Sequence, residues 1–373
     1  MSSPKPKLPL REKIALVPVI AKFIQPDSFR GLVSSFATNL VTAPFRGPGG
    51  ARTYWRHVLY SSTKTFQEDA TVEQAQYLLT STDKAYRSFA KSQRLPPVTV
   101  DLPDGAKGHW LGDPTAEKVM VWFHGGGYNY PATPGHISFI YSLASYAAQE
   151  TKHSVSVFML AYTLAPHAQY PTQLRQAVGM LKYLLEDCER RPEDISLVGD
   201  SAGCNLVLAL LSHLLHPHPS ISALSLPANS PPFATVILIS PWVTFSMTSA
   251  SYTANKGKDV ISAVALSHWI PNFLPPSTTS EDAYTSPLAL APAGWWYGLD
   301  GLASAMLIIG GGDEVFVDDI RAFGHVLEKS HPRVTSLVTQ AEIHEQPVLD
   351  RAFGFRKLTQ MEGVVRSWFA GGL

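Results

Sequence analysis

Ser201 stands in the run Gly199-Asp200-Ser201-Ala202-Gly203, between an apolar strand pattern and an apolar helix pattern. A turn tight enough to join the two strains the backbone at the serine, and the flanking glycines relieve the crowding. Such a turn lifts the hydroxyl over the end of a sheet, where a helix N-terminus directs N–H groups at the reacting centre. The competing reading is a serine helix cap, which does not need flanking glycines. A nucleophilic serine also requires donors for an oxyanion, a base and a carboxylate. Phe123-His124-Gly125-Gly126-Gly127-Tyr128 follows the first clear strand. Its glycines let backbone N–H groups come close to a ligand and, with the N–H of Ala202, would form an oxyanion hole. His124, at the strand end, is read as bonding that loop into shape. Of the thirteen histidines, His344 follows the last predicted strand, in a loop over the same sheet edge as Ser201, and is the candidate base. His325 and His331 read as surface residues. His213, His216 and His218 belong to the far end of the serine helix and its loop. The acid should follow the preceding strand, where Asp313 and Glu314 both qualify. Asp318 and Asp319 read as N-caps of the next helix.

These residues need a scaffold, and the pattern from Val119 onward supplies one. Short apolar runs at 118–123, 154–162, 195–199, 234–240, 305–310 and 333–339 predict strands. Helical patterns at 135–149, 174–185, 205–215, 319–329 and 360–369 separate or follow them. Fully apolar strands alternating with helices predict an α/β fold, with a mainly parallel sheet covered on both faces. Two parts break the rhythm: the first hundred residues, and 242–302. The second holds Trp242, Trp269, Trp295 and Trp296 with many prolines. It is too long for a plain connection and reads as an inserted cap. It is expected to set substrate choice rather than supply catalytic groups, with Trp295 and Trp296 as apolar walls.

The bulk numbers narrow the function classes. The 373 residues are 45% hydrophobic and 16% charged, with formal net charge +0. That is a globular composition with no basic run to attract nucleic acid. Cys188 and Cys204 cannot form a disulfide framework, and no His/Cys cluster has zinc spacing. Cys204 reads as a small core residue. Lys5, Lys7, Arg11 and Lys13 precede the apolar run Ile14 to Ala21. The run is far shorter than a membrane span and lacks a cleavage site. It is read as an amphipathic segment packing on the cap or touching a membrane peripherally, and the protein as cytoplasmic. A homo-oligomer is compatible with this composition.

The motifs resemble those of the hormone-sensitive-lipase-like branch of the α/β-hydrolases. His124–Gly127 is similar to its HGGG motif, Gly199–Gly203 to its GDSAG motif, and Tyr162, Leu164, Ala165, Pro166 and Pro171 to its YxLAP…P segment. The order Ser, acid, His is the one expected of that fold. The look of Gly108 to Asp113 and of His344 to Pro347 points to the fungal esterase and steryl-acetyl-hydrolase-like subset. The resemblance implies an α/β-hydrolase core, 98–241 and 303–373, with a cap from residues 1–97 and 242–302. It implies Gly126, Gly127 and Ala202 as oxyanion donors. Its spacing, an acid four residues before an acidic pair, selects Glu314 over Asp313. Glu345 departs from the small or apolar residue usual after the histidine. The expected activity is hydrolysis of an apolar small-molecule ester through an acyl-enzyme, without metal or cofactor, with Tyr128 lining the pocket. A secondary-metabolite enzyme using the same site for lactonisation, condensation or cyclisation is the alternative. A binding receptor of the same fold is disfavoured, because Ser201, His344 and an acid are all present.

Overall fold

The computed structural model describes residues 40–227, 229–276 and 281–373. The basic and apolar segment from Lys5 to Ala21 lies outside them. Three helices come first, α1 (Tyr54–Asp69), α2 (Val72–Leu78) and α3 (Thr82–Ser92). Thr53 opens α1 by accepting from the Arg56 N–H, and Thr71 with Gln74 forms a reciprocal capping box at α2. An edge hairpin follows, β1 (Val98–Asp101) and β2 (Lys107–Leu111). Then come β3 (Lys118–Phe123), α4 (Pro134–Thr151), β4 (Val155–Ala161), α5 (Thr172–Lys182), β5 (Ile195–Asp200), α6 (Ala202–Leu215) and β6 (Thr235–Ile239). The stretch after β6 carries α7 (Ala250–Ala254), α8 (Ala263–Phe273) and α9 (Pro287–Leu290). The chain closes with β7 (Met306–Gly311), α10 (Val317–Ser330), β8 (Val334–Thr339), α11 (Gln346–Ala352) and α12 (Gln360–Gly371).

All eight strands form one sheet in the order β1-β2-β4-β3-β5-β6-β7-β8. Strand β2 runs antiparallel to both β1 and β4, and every other pairing is parallel. Because side chains alternate along a strand, each strand feeds two cores. Val119, Val121 and Phe123 join Leu174, Leu206 and Ile320 on one face; Met120 and Trp122 join Tyr86, Ile137, Leu143 and Val365 on the other. This double burial explains why the parallel strands read as unbroken apolar runs. Among the described residues no helix is long and apolar enough to cross a membrane.

Three expectations need correction. The hairpin β1–β2 was not among the predicted strands: it is short, and polar residues punctuate it. Asp318 and Asp319 do not cap α10. They lie in its first turn, where Asp318 Oδ2 accepts from the Ser251 N–H at 2.9 Å and Asp319 accepts from the Ser249 hydroxyl, anchoring α7. His331 is buried rather than superficial, with Nε2–H donating to the Ala303 carbonyl at 2.8 Å and Nδ1 accepting from the Arg333 N–H at 2.9 Å.

Candidate active site

Ser201 sits between β5 and α6 with φ 49° and ψ −117°, and its side chain caps nothing. The cap reading therefore fails. The turn is held by the Ser201 N–H donating to Ile239 O at 2.9 Å and Ser201 O accepting from the Trp242 N–H at 3.2 Å. A Cβ on Gly203 would lie 1.9 Å from Phe123 O, so only glycine lets α6 start this close to β3. Strain of this kind persists where the surroundings over-determine it.

His344 Nε2 is 2.9 Å from Ser201 Oγ, and His344 Nδ1 is 3.1 Å from Glu314 Oε2. The second carboxyl oxygen of Glu314 accepts from the Ser240 hydroxyl at 2.6 Å and from the Gly311 N–H. Glu314 is thus an acceptor on both oxygens, which selects the His344 tautomer with Nδ1–H toward the acid and Nε2 free to accept from Ser201. Asp313 points elsewhere, to Lys258 Nζ at 2.9 Å. Burial disfavours a charged His344 ring, but the Glu314 bond and the charges of Glu345, Glu314 and Asp259 override it and raise its pKa to about 9.

The glycine loop after β3 faces this line. Gly126 and Gly127 have φ +100° and +60°; a Cβ on Gly127 would lie 2.4 Å from the Trp269 ring. Among the described residues, none of the N–H groups of Gly126, Gly127 and Ala202 has a hydrogen-bond partner. The loop is pinned from below by Asp200, which accepts from Trp122 Nε1 at 2.6 Å and from the Gly125 N–H at 2.7 Å. His124 Nδ1 meets Gly125 O at 2.7 Å and its ring stacks on Tyr162, whose hydroxyl donates to His124 O. Burial first, eased by the Gly125 bond, lowers its pKa to about 4, so the ring is neutral. This matches its expected loop-shaping place.

A family profile described as alpha/beta hydrolase fold matches residues 120–347. The chain belongs to the α/β-hydrolase family. An esterase of Acinetobacter venetianus is 28% identical over 221 residues, 59% of this chain and 64% of that protein. An acetyl-hydrolase of Streptomyces hygroscopicus is 28% identical over 68% of this chain and 76% of its own. Steryl acetyl hydrolase 1 of Saccharomyces cerevisiae is 31% identical over 35% of this chain, but the match spans only 28% of that protein. The fold also matches a solved esterase of the bacterial hormone-sensitive lipase family, with TM-score 0.59 and 21% identity over 86% of this chain and 98% of that one.

Several residues around this site carry no local sequence signal. Asp259, in the stretch after β6, is fully buried. Its Oδ1 accepts from the His344 N–H at 3.1 Å and its Oδ2 from the Val315 N–H at 2.7 Å, so it pins the base loop and the acid loop together. Burial raises its pKa to about 6, partly offset by His344. Asn255 Nδ2 donates to Gly312 O and Glu314 O. Behind Ser201 lies a second buried group, His136, Asp200 and Glu345, close enough together to hold a cation. His136 Nδ1 accepts from the Thr133 N–H at 3.2 Å and meets the Thr133 hydroxyl at 2.7 Å, and Nε2 faces Asp200 Oδ2 at 3.3 Å and Glu345 Oε2 at 3.6 Å. Burial works against charge on the ring, yet the two acids raise its pKa to about 10.

A cavity of about 160 Å³ opens in front of Ser201. Helix α1 contributes Thr63, Phe66 and Gln67; the stretch after β6 contributes Val260, Ile261 and Trp269. Two expectations about it fail. Tyr128 does not line the cavity: its ring stacks on Phe273 at 3.9 Å and its hydroxyl donates to Asn205 Oδ1, making it a strut behind the wall. Tyr130 lines it instead. Trp295 and Trp296 are also remote, since Trp295 Nε1 donates to Ser212 near the end of α6 and Trp296 packs on Phe323 of α10.

Proposed function

We propose that the protein is a serine esterase acting on carboxylic esters through an acyl-enzyme. The observation that carries this reading is the unbroken line Ser201 Oγ, His344 Nε2, His344 Nδ1, Glu314 Oε2, with steps of 2.9 and 3.1 Å. Ser201 Oγ attacks the ester carbonyl as its proton passes to His344 Nε2. Glu314 holds the imidazolium that results. The N–H groups of Gly126, Gly127 and Ala202 receive the carbonyl oxygen as it gains charge, in a site from which water is displaced. Collapse of the tetrahedral intermediate expels the alcohol, which takes the proton from His344. Water then enters, gives a proton to His344, attacks the acyl-enzyme and releases the acid. The small cavity and its apolar lining support short esters, and the relatives named esterase and acetyl-hydrolase point the same way. The cap that shapes this cavity is proposed to come from both sides of the chain, α1 and α8, which lie against each other.

A serine-directed phosphonate should add one label, on the peptide holding Ser201, and Ser201→Ala should lose p-nitrophenyl ester hydrolysis. Glu314→Gln should lower turnover by about 10⁴, and Asp313→Asn far less. A label on another serine, or the reverse ranking of the two acids, refutes the assignment.

A further inference from the structure

Asp259 lies between α7 and α8 and is 1% exposed. Its carboxylate accepts from three backbone N–H groups: Val260 beside it at 2.8 Å, Val315 at 2.7 Å and His344 at 3.1 Å. Val315 follows the acid Glu314, and His344 is the base. A buried carboxylate is expensive, and a residue that only filled this space could be apolar. The three donors also fix its state. A carboxylate accepts from all of them, whereas a protonated or amide group turns a donor toward one.

The short segment around Asp259 is tied to the acid loop a second time and also reaches the cavity. Asn255 Nδ2 donates to Gly312 O and Glu314 O, and Lys258 Nζ donates to Asp313 at 2.9 Å. On the other side of Asp259, Val260 and Ile261 line the cavity in front of Ser201. The outer edge of the segment rests on the N-terminal part of the chain. Lys64 of α1 donates to Lys256 O at 2.5 Å, and a Cβ on Gly257 would lie 2.4 Å from Gly49 O. The base and acid loops also meet directly, through the Asp313 N–H on Glu342 O at 2.9 Å, but that bond does not reach His344 itself.

We infer, resting on the esterase reading, that Asp259 is a positioning residue of the triad, setting the backbone of His344 against that of the acid loop. The stretch after β6 then governs the chemical step as well as the pocket wall. Asp259 touches no reacting atom and acts through His344 and Glu314. Its charge adds a second effect. The titratable groups facing it are His344 and Glu314 from the two loops, Lys64 from α1 and Tyr252 from α7. Together with Glu314 and Glu345, it favours the charged His344 ring. Asp259 itself ionises near 6, so its charge is present where the ring titrates.

The test compares wild type with Asp259→Asn, which keeps the shape but loses the charge and one acceptor. Ethyl butyrate hydrolysis is followed by titrating the released acid, and competent sites are counted with a serine-directed phosphonate. On the alkaline plateau, kcat per counted site should fall by about 10- to 100-fold with KM within about twofold. The acid limb of kcat/KM should move to lower pH. An unchanged kcat per site, an unmoved limb, or a raised KM at constant kcat overturns the inference. Should the variant not fold, wild type decides. Amide exchange in 312–317 and 341–346 should lose protection together as pH falls through about 6, while β5 keeps its own. Protection held in both segments below that pH overturns the inference. If wild type shows no Ser201-dependent hydrolysis of any ester, the esterase reading fails and takes this one with it. If it hydrolyses esters and Asp259→Asn behaves like wild type, only this inference fails.

Discussion

His344 is subject to two opposed effects. Burial favours the neutral ring, while the Glu314 bond and the nearby charges of Glu345 and Asp259 favour the charged one, with a net rise to about 9. On the proposed mechanism the base form is the neutral one, because Nε2 accepts the Ser201 proton. Below about pH 9 the ring is mostly protonated and cannot do so. The pH profile of kcat/KM for a non-ionising ester should therefore climb through an apparent pKa near 9 and fall steadily toward acid. A plateau already reached just above 6.5 would show that the surrounding acids do not act on the ring. Stability moves the other way. A folded-state pKa above the unfolded value gives a contribution fully present below about 6.5 and lost as pH rises through about 9. The ring becomes competent over the same interval in which it stops stabilising the fold.

At the scale of elements, the strands and their glycine turns were legible because each announces itself locally. Apolar runs mark β3 to β8, and glycines mark the two loops that must approach a ligand. The residues alone left Asp313 and Glu314 open, and the choice of Glu314 was what the family resemblance implied; in the structure Ser240 and Gly311 bond its carboxylate. What the sequence did not disclose is long-range. Asp259 meets His344 across 85 residues, and nothing around it signals burial. The cap aromatics were likewise indistinguishable by type, and only packing separates Trp269 from Trp295 and Trp296. Helix α8 carries Trp269 to the cavity, edge-on to Tyr130 at 5.2 Å and against Gly127. Trp296 instead fills a gap above α10 and is 2% exposed. Trp269→Ala should therefore reorder kcat/KM across a series of acyl lengths. Trp296→Ala should leave that order unchanged and cost about 3–5 kcal/mol of stability, read from denaturant unfolding. A reordering by Trp296→Ala, with none from Trp269→Ala, would reverse the assignment of the wall.

At the scale of the whole molecule, the site's parts are tied to one another through contacts far apart in the chain. Helix α11 begins two residues after His344, and its Asp350 is 2% exposed. Asp350 accepts from Arg56 Nε at 3.0 Å, from Arg56 Nη2 at 2.5 Å and from the Tyr60 hydroxyl at 3.1 Å. Both donors sit on α1, the helix that also gives Thr63, Phe66 and Gln67 to the cavity. The guanidinium also lies over the Phe355 ring, 4.9 Å from its centre. One clasp thus fixes the N-terminal wall of the pocket to the element that follows the base. Paired, hydrogen-bonded geometry of this kind is strong, and removing the cation strands a buried carboxylate. Arg56 is itself 21% exposed, so water relieves part of that penalty, and Arg56→Ala should cost about 1–3 kcal/mol. The loss should be local. Amide exchange should quicken across residues 54–69 while the central strands keep their protection. KM should rise more than kcat falls, because the wall loosens while Ser201, His344 and Glu314 stay on the sheet. Unchanged exchange in α1, or a fall in kcat at constant KM, would show that α1 is held by its apolar contacts alone and that the clasp does not govern the pocket.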